Sequence, residues 1–294
     1  MGISIRTNFS SLDAQRNLYG SQGDLDNSMR KLSSGYRITR ASDDAAGLAI
    51  SEKMRSKVTG TNQAIRNASD GISLIQTAEG ALGEIGNIIQ RTRELAVQAS
   101  NGTLAASDLV AIGKEVGQLR SEIGAIASRT KFNGISLLGG AANPTDVTLQ
   151  VGSDNGDQLV VALSNFSIGT GSGLASFSIR MNSFAVMTGT TTGSFTAGVL
   201  APGAGGILAL ADAALALVNN KRADLGATQN RLERDIAVQQ IASANLDQAN
   251  SRIRDVDVAS ETAKMTKSNI LMQAGVSVLA QANQGPQMAL KLLG

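Results

Sequence analysis

Two small groups of carboxylates, Asp43-Asp44 and Asp255, Asp257 and Glu261, are the residues of this chain best placed to do chemistry. Carboxylates at such spacings can ligate a divalent cation or form an acid–base pair. Neither chemistry is completed by what surrounds them. No glycine-turned cation loop accompanies either group, and the chain contains no histidine and no cysteine. Thiol nucleophiles and the commonest zinc ligands are therefore excluded. Asp154-Asn-Gly-Asp157 reads in the same way, as a turn and not as a calcium loop. Helix capping and polar contact between helices are the better assignments. Ser42 or Asp43 can cap a helix that starts at the strong helix formers Ala45-Ala46. No catalytic residue, cofactor or metal is expected, and the chain is read as a non-enzyme.

Composition narrows the remaining classes. The chain has 294 residues, 3% aromatics, no tryptophan and 3 prolines, so Ala, Leu, Ile and Val must supply the buried surface along helix seams. Its 26 basic and 24 acidic residues are interspersed. No basic patch with stacking aromatics points to nucleic acid, and no window is apolar enough for a membrane span. The first ten residues are too polar for the core of a cleaved signal peptide. Composition by itself describes a cytosolic protein.

The elements follow from hydrophobic period. Residues Leu12 to Leu32 read as a helix, with Leu18, Leu25 and Leu32 one heptad apart. After a polar connector, a helical stripe runs from Ile50 to Ile89. Roughly fifty residues at about 1.5 Å each make a rod of about 75 Å. Glycines at 60, 71, 80, 83 and 86 signal either close approach by another element or flexibility. Asn101-Gly102 ends this stretch. Leu109, Ile112, Val116, Leu119, Ile123 and Ile126 then give the cleanest heptad in the chain. Beyond the turn at Phe132-Asn-Gly134 the period changes to two. Val147, Leu149 and Val151 are set against Leu159, Val161 and Leu163 across Gly152-Ser-Asp-Asn-Gly156, a β-hairpin by pattern and turn chemistry. Residues 164–206, rich in Gly, Ser and Thr, read as short strands and loops.

The helical stripe returns at Ile207 and runs almost without interruption into a terminal segment, Ser251–Leu293. There Ile253, Val256, Ala263, Ile270, Ala274, Val278 and Ala282 recur at mostly helical spacings. Ala14, Leu18, Leu25, Met29 and Leu32 form a matching stripe at the opposite chain end. Two ends with unburied apolar seams suggest a subunit that completes itself by assembling. The expected fold is mainly α with a small β region: a rod-like antiparallel helical bundle or coiled coil with a β-hairpin and a short outer insertion.

Several stretches resemble bacterial flagellin. They are Ile5-x-Thr7-Asn8, Leu32-Ser-Ser-Gly-Tyr-Arg-Ile38, Asp43-Asp-Ala-Ala-Gly-Leu-Ala-Ile50, Gln90-Arg-Thr-Arg-Glu-Leu-Ala-Val-Gln98, Phe132-Asn-Gly134, Ser251-Arg-Ile253 with Asp255, Asp257, Ala259 and Glu261, and Val278-Leu-Ala-Gln-Ala-Asn283. They fall in the family's order and cover about the first 163 and last 90 residues. Arg254, where an uncharged or acidic residue is common, and Gly285-Pro286 depart from the pattern.

The resemblance implies a filament subunit of the bacterial flagellum, the helical propeller of swimming. It implies an inner domain D0 from residues 1–42 and 251–294, an outer domain D1 from 43–163 and 207–250, and a short variable region at 164–206. The D0 assembly interface would be built from Leu18, Leu25, Met29, Leu32, Ile270, Ala274, Val278, Leu279 and Ala282. Burying about eight such side chains yields on the order of 12–24 kcal/mol gross, before ordering costs. Implied partners are further copies of the chain, an export chaperone on the C-terminal segment, and filament cap and hook-junction proteins. Gln90, Arg91, Leu95 and Glu115 match D1 surface positions contacted by neighbouring subunits and by host Toll-like receptors. Thr188, Thr190, Thr191 and Thr192 are candidate O-glycosylation positions. Export would proceed by the flagellar type III route to the extracellular filament, without a cleaved signal. The alternatives are a hook–filament junction protein, which shares similar termini, and a coiled-coil tethering protein, which would need termini that are folded and stable in the isolated chain.

Overall fold

The structure, a computed structural model, describes residues 8–139, 146–163 and 207–293, with residue 207 and residues 285–293 described as backbone. It is mainly α with two small antiparallel hairpins. The helices are α1 (Phe9–Ser34), α2 (Ala45–Ala99), α3 (Ala106–Arg129), α4 (Ile207–Arg254) and α5 (Val258–Leu293). The strands are β1 (Lys131–Phe132), β2 (Ile135–Ser136), β3 (Val147–Gln150) and β4 (Gln158–Val161). Among the described residues no helix is long and apolar enough to cross a membrane.

Local chemistry sets the boundaries. Asn8 caps α1 by accepting from the Ser11 N–H at 3.2 Å, and Gly35, at φ 75°, closes it in the left-handed region. Asp44, not Ser42 or Asp43, caps α2, accepting from the Gly47 N–H at 2.8 Å. Asp43 instead accepts from the Thr39 N–H, the Thr39 hydroxyl and the Arg40 N–H, at 2.9–3.0 Å. These bonds, the Thr39 N–H foremost, hold its pKa below the usual aspartate value. The turn at Phe132-Asn-Gly134 is a hairpin, with Asn133 and Gly134 both at positive φ, as a two-residue loop between twisted strands requires. The second hairpin pairs Val147 with Val161 and Leu149 with Leu159.

One expectation needs correcting. The terminal segment from Ser251 is not a single helix. α4 ends at Arg254, residues 255–257 leave the helical path, and Asp257 caps α5 by accepting from the Ala259 and Ser260 N–H groups. Arg252 and Arg254 in the last turn of α4 and Glu261 in the first turn of α5 suit the dipoles of two separate helices.

The chain divides into two compact units, Met1–Thr59 with Ala242–Gly294, and Gly60–Ile241. The second unit holds the larger hydrophobic core. Ile75, Leu82, Ile85, Ile89, Val116, Ile123, Leu137, Val161 and Leu232 are fully buried in it. Each such side chain contributes about 1.5–3 kcal/mol by leaving water. The glycines of α2 serve different purposes. A Cβ on Gly71 would stand 2.3 Å from Leu149 Cδ1, and one on Gly60 would stand 3.2 Å from Ser153 Cβ, so these two admit the second hairpin. Gly80 and Gly83 have open space beside them.

Candidate assembly interface

In the first unit α1 and α5 pair antiparallel. Four contacts fix their direction: Tyr36 bridges Asp255, Ser28 meets Glu261, Leu18 lies at Gly275, and Asn8 Nδ2 donates to Ala282 O at 2.9 Å. On α1 the buried and half-buried positions include Ser11, Ala14, Leu18, Ser21, Leu25, Ser28 and Leu32. On α5 they are Glu261, Met265, Ser268, Met272, Gly275, Leu279 and Ala282. Both sets alternate steps of three and four, the period of a coiled coil. Small residues occupy about half of the seam.

The seam carries one buried acid. Glu261 is 6% exposed, and the Ser28 hydroxyl donates to it at 2.9 Å. Burial pushes its pKa up, but the Ser28 hydrogen bond, the Lys264 ammonium at 3.3 Å and the charge of Lys31 outweigh this, leaving it below the usual glutamate value. Glu261 is structural. Among the described residues no group of three or more Asp, Glu, His or Cys could hold a metal ion.

The residues expected to form one D0 seam fall on two faces. Leu18, Leu25, Leu32, Leu279 and Ala282 lie in the α1–α5 pair. Met29, Ile270, Ala274 and Val278 point outward, Ile270 at 60% and Val278 at 53% exposure. Val258, Leu271 and Val276 continue the outward surface of α5, and Phe9, Leu12 and Tyr19 that of α1. Val258, Thr262, Ala263, Thr266, Ile270 and Leu271 line a shallow apolar groove there. Solvated apolar surface of this extent marks an interaction site. Sequence reading missed Ser11, Ser21, Ser28 and Ser268 because they are polar, while Glu261 makes a polar contact between helices of the kind expected for its carboxylate group. The heptad spacing of the serines was the available signal.

In the second unit Gln90, Arg91 and Glu115 are surface residues. Arg91 bonds Glu115 across to α3 at 3.0 Å and Glu94 along α2 at 3.1 Å. Glu94, then Glu115, raise its pKa. Leu95 is different: at 2% exposure it belongs to the hydrophobic core. Grouping it with surface positions is corrected, because the inward side of α2 buries it. Thr188, Thr190, Thr191 and Thr192 lie outside the described residues.

Two family models match the chain. Residues 5–143 fit the bacterial flagellin N-terminal helical region and residues 208–293 fit the C-terminal helical region. The flagellar filament 33 kDa core protein of Treponema phagedenis is 43% identical over 301 residues, spanning 98% of this chain and 99% of the relative. Flagellin of Halalkalibacterium halodurans is 44% identical over 289 residues (98% and 99%), and that of Bacillus subtilis 43% over 306 (99% and 100%). The chain belongs to the bacterial flagellin family. It is a structural subunit of the flagellar filament and serves motility. A flagellin works by binding copies of itself, so its functional chemistry is the placement of apolar surface.

Proposed function

We propose that this flagellin polymerises through the outward face of α5, with Ile270, Ala274 and Val278 as anchors, supported by Met29 on α1. The observation that carries this reading is a second apolar face left in water. Leu18, Leu25, Met265, Met272 and Leu279 alternate with small and polar residues inside the pair, while the further large aliphatics Ile270, Leu271, Val276 and Val278 face water. Head-to-tail contact between such faces propagates as a helix when its rotation does not close into a ring, as a filament requires. Residues 1–42 and 251–294 act as the inner domain D0, 43–163 and 207–250 as the outer domain D1, and 164–206 as the short variable region. The seam residues Leu18, Leu25, Leu32, Leu279 and Ala282 hold D0 together within each subunit.

The remaining partners are those that membership of the flagellin family suggests. Before export, the apolar C-terminal segment is covered by a flagellar chaperone. The chain then leaves by type III export and joins the filament between hook-junction and cap proteins. Gln90, Arg91 and Glu115 form the D1 patch offered to neighbouring subunits or, in a free subunit, to a Toll-like receptor. The subunit carries out no catalysis.

Electron microscopy of purified protein with filament seeds tests the reading. Intact chain should form filaments, and chain lacking Asn269–Gly294 should keep the second unit folded but form none. Normal polymerisation of the truncated chain would overturn the assignment.

A further inference from the structure

The α1–α5 seam repeats itself every seven residues. On α1, Leu18, Leu25 and Leu32 alternate with Ser21 and Ser28. On α5, Met265, Met272 and Leu279 alternate with Ser268, Gly275 and Ala282. Large residues on one helix therefore fall level with small ones on the other, as Leu18 does at Gly275, where an added Cβ would lie 3.9 Å from Leu18 Cβ. Sliding α5 by one heptad puts Leu18 level with Ser268 or Ala282, which are again small. Seam packing alone leaves these registers close in energy.

The Ser28–Glu261 bond does not separate them fully, because one of the slips presents Glu261 with Ser21, another serine. Discrimination falls to the point where α1 and α4 end. There the Arg37 N–H donates to Arg254 O at 2.6 Å and the Val256 N–H to Gly35 O at 3.0 Å, while the Arg37 guanidinium donates to Ile253 O. The Arg254 guanidinium lies 4.5 Å from the Tyr36 ring centroid and bonds Glu52 on α2 at 2.6 Å, with its own side chain only 16% exposed. Arg254 thus ties the end of α4, the connector after α1 and the first turns of α2 together. A one-heptad slip would draw the paired backbones about 10 Å apart.

We propose that Arg254 is a positioning residue, the clasp that selects the register in which α1 and α5 pair. The Tyr36–Asp255 bridge is a single isolated pair, and it persists because the stacked, ion-paired guanidinium closes over it. The inference rests on the α1–α5 pairing and does not depend on polymerisation.

The chain has no cysteine, so engineered pairs report register directly. In the soluble full-length chain, Leu18→Cys with Gly275→Cys should oxidise to an intramolecular disulfide, since the Cβ separation suits the bond. Leu18→Cys with Ser268→Cys, or with Ala282→Cys, should not. Adding Arg254→Gln should lower the first product severalfold and make at least one slipped product appear. Glu52→Gln should do the same, with no further change in the double variant, and Arg254→Lys should restore the native product in large part. Two results would overturn the proposal: an undiminished native product alone in Arg254→Gln, or a fall of the native product with no slipped product appearing, which would show loosening without slip. Circular dichroism of the same samples distinguishes a slipped pair from an unfolded one.

Discussion

The core of residues 60–241 and the α1–α5 pair solve opposite problems with the same helical period. In the first, Ile75, Leu82, Ile85, Ile89 and Leu232 are sealed inside and the charged residues are outside. Its ion pairs, Arg93–Asp212 at 2.7 Å and Arg222–Glu79 at 3.3 Å, are roughly half exposed and add little stability. In the second, Ser11, Ser28, Ser268 and Glu261 are buried among half-buried Leu18, Leu25, Met265, Met272 and Leu279, and Ile270, Leu271, Val276 and Val278 face water. One region is complete within the chain. The other has a finished inner face and an unfinished outer one, which is the condition for a subunit whose stability must increase on assembly.

Substitutions of the same chemical kind should therefore behave differently in the two regions. The largest contrast is expected from Ile270→Asp with Val278→Asp. Seeded filament growth should be abolished while helical content and urea unfolding of the soluble chain stay unchanged, because both side chains are already solvated. Unfolding at lower urea would show that they pack within the subunit. Ile85→Ala, in a fully buried position, should instead lower unfolding stability by about 2–5 kcal/mol through lost transfer energy and a residual cavity.

A smaller effect separates the regions by pH. The carboxylate of Glu261 has its pKa lowered on folding, so the stability it contributes is present above the ordinary glutamate range and is lost as pH falls through the folded value. Protection of amides in α1 and α5, measured relative to the intrinsic exchange rate at each pH, should fall on acidification, and Glu261→Gln should remove most of that dependence. The smallest effect belongs to Arg91→Gln. Its partners are exposed, and thermal unfolding should not change measurably, so any loss of filament growth would assign Arg91 to a contact between subunits.

Much of this was legible in the residues. The heptad from Leu109 to Ile126, the alternation at 147–163 and the turn at Asn133-Gly134 each point to one local structure because apolar period and turn chemistry agree. The seam of α1 and α5 was less legible. Apolar residues such as Ile270 and Val278 were the visible stripe, and they line the outward face. The buried stripe alternates Leu and Met with Ser, Gly, Ala and one Glu, and that second half consists of residue types that do not stand out as core. Likewise, nothing in the local sequence distinguishes buried Leu95 from exposed Val97, because which side of α2 faces inward depends on the elements packed against it.

The sequence by itself determined the helices, the hairpins and the family, since these depend on local period, caps and turns. It also determined that no thiol or imidazole chemistry is available. Tertiary structure decided which face of each terminal helix is spent within the chain and which is left exposed. It also decided that the terminal segment breaks at Asp255–Asp257, where Arg254 reaches Glu52 and Tyr36. The choice of face and the Arg254 contacts depend on residues some two hundred positions apart, whereas the break itself is also marked locally by the Asp257 cap.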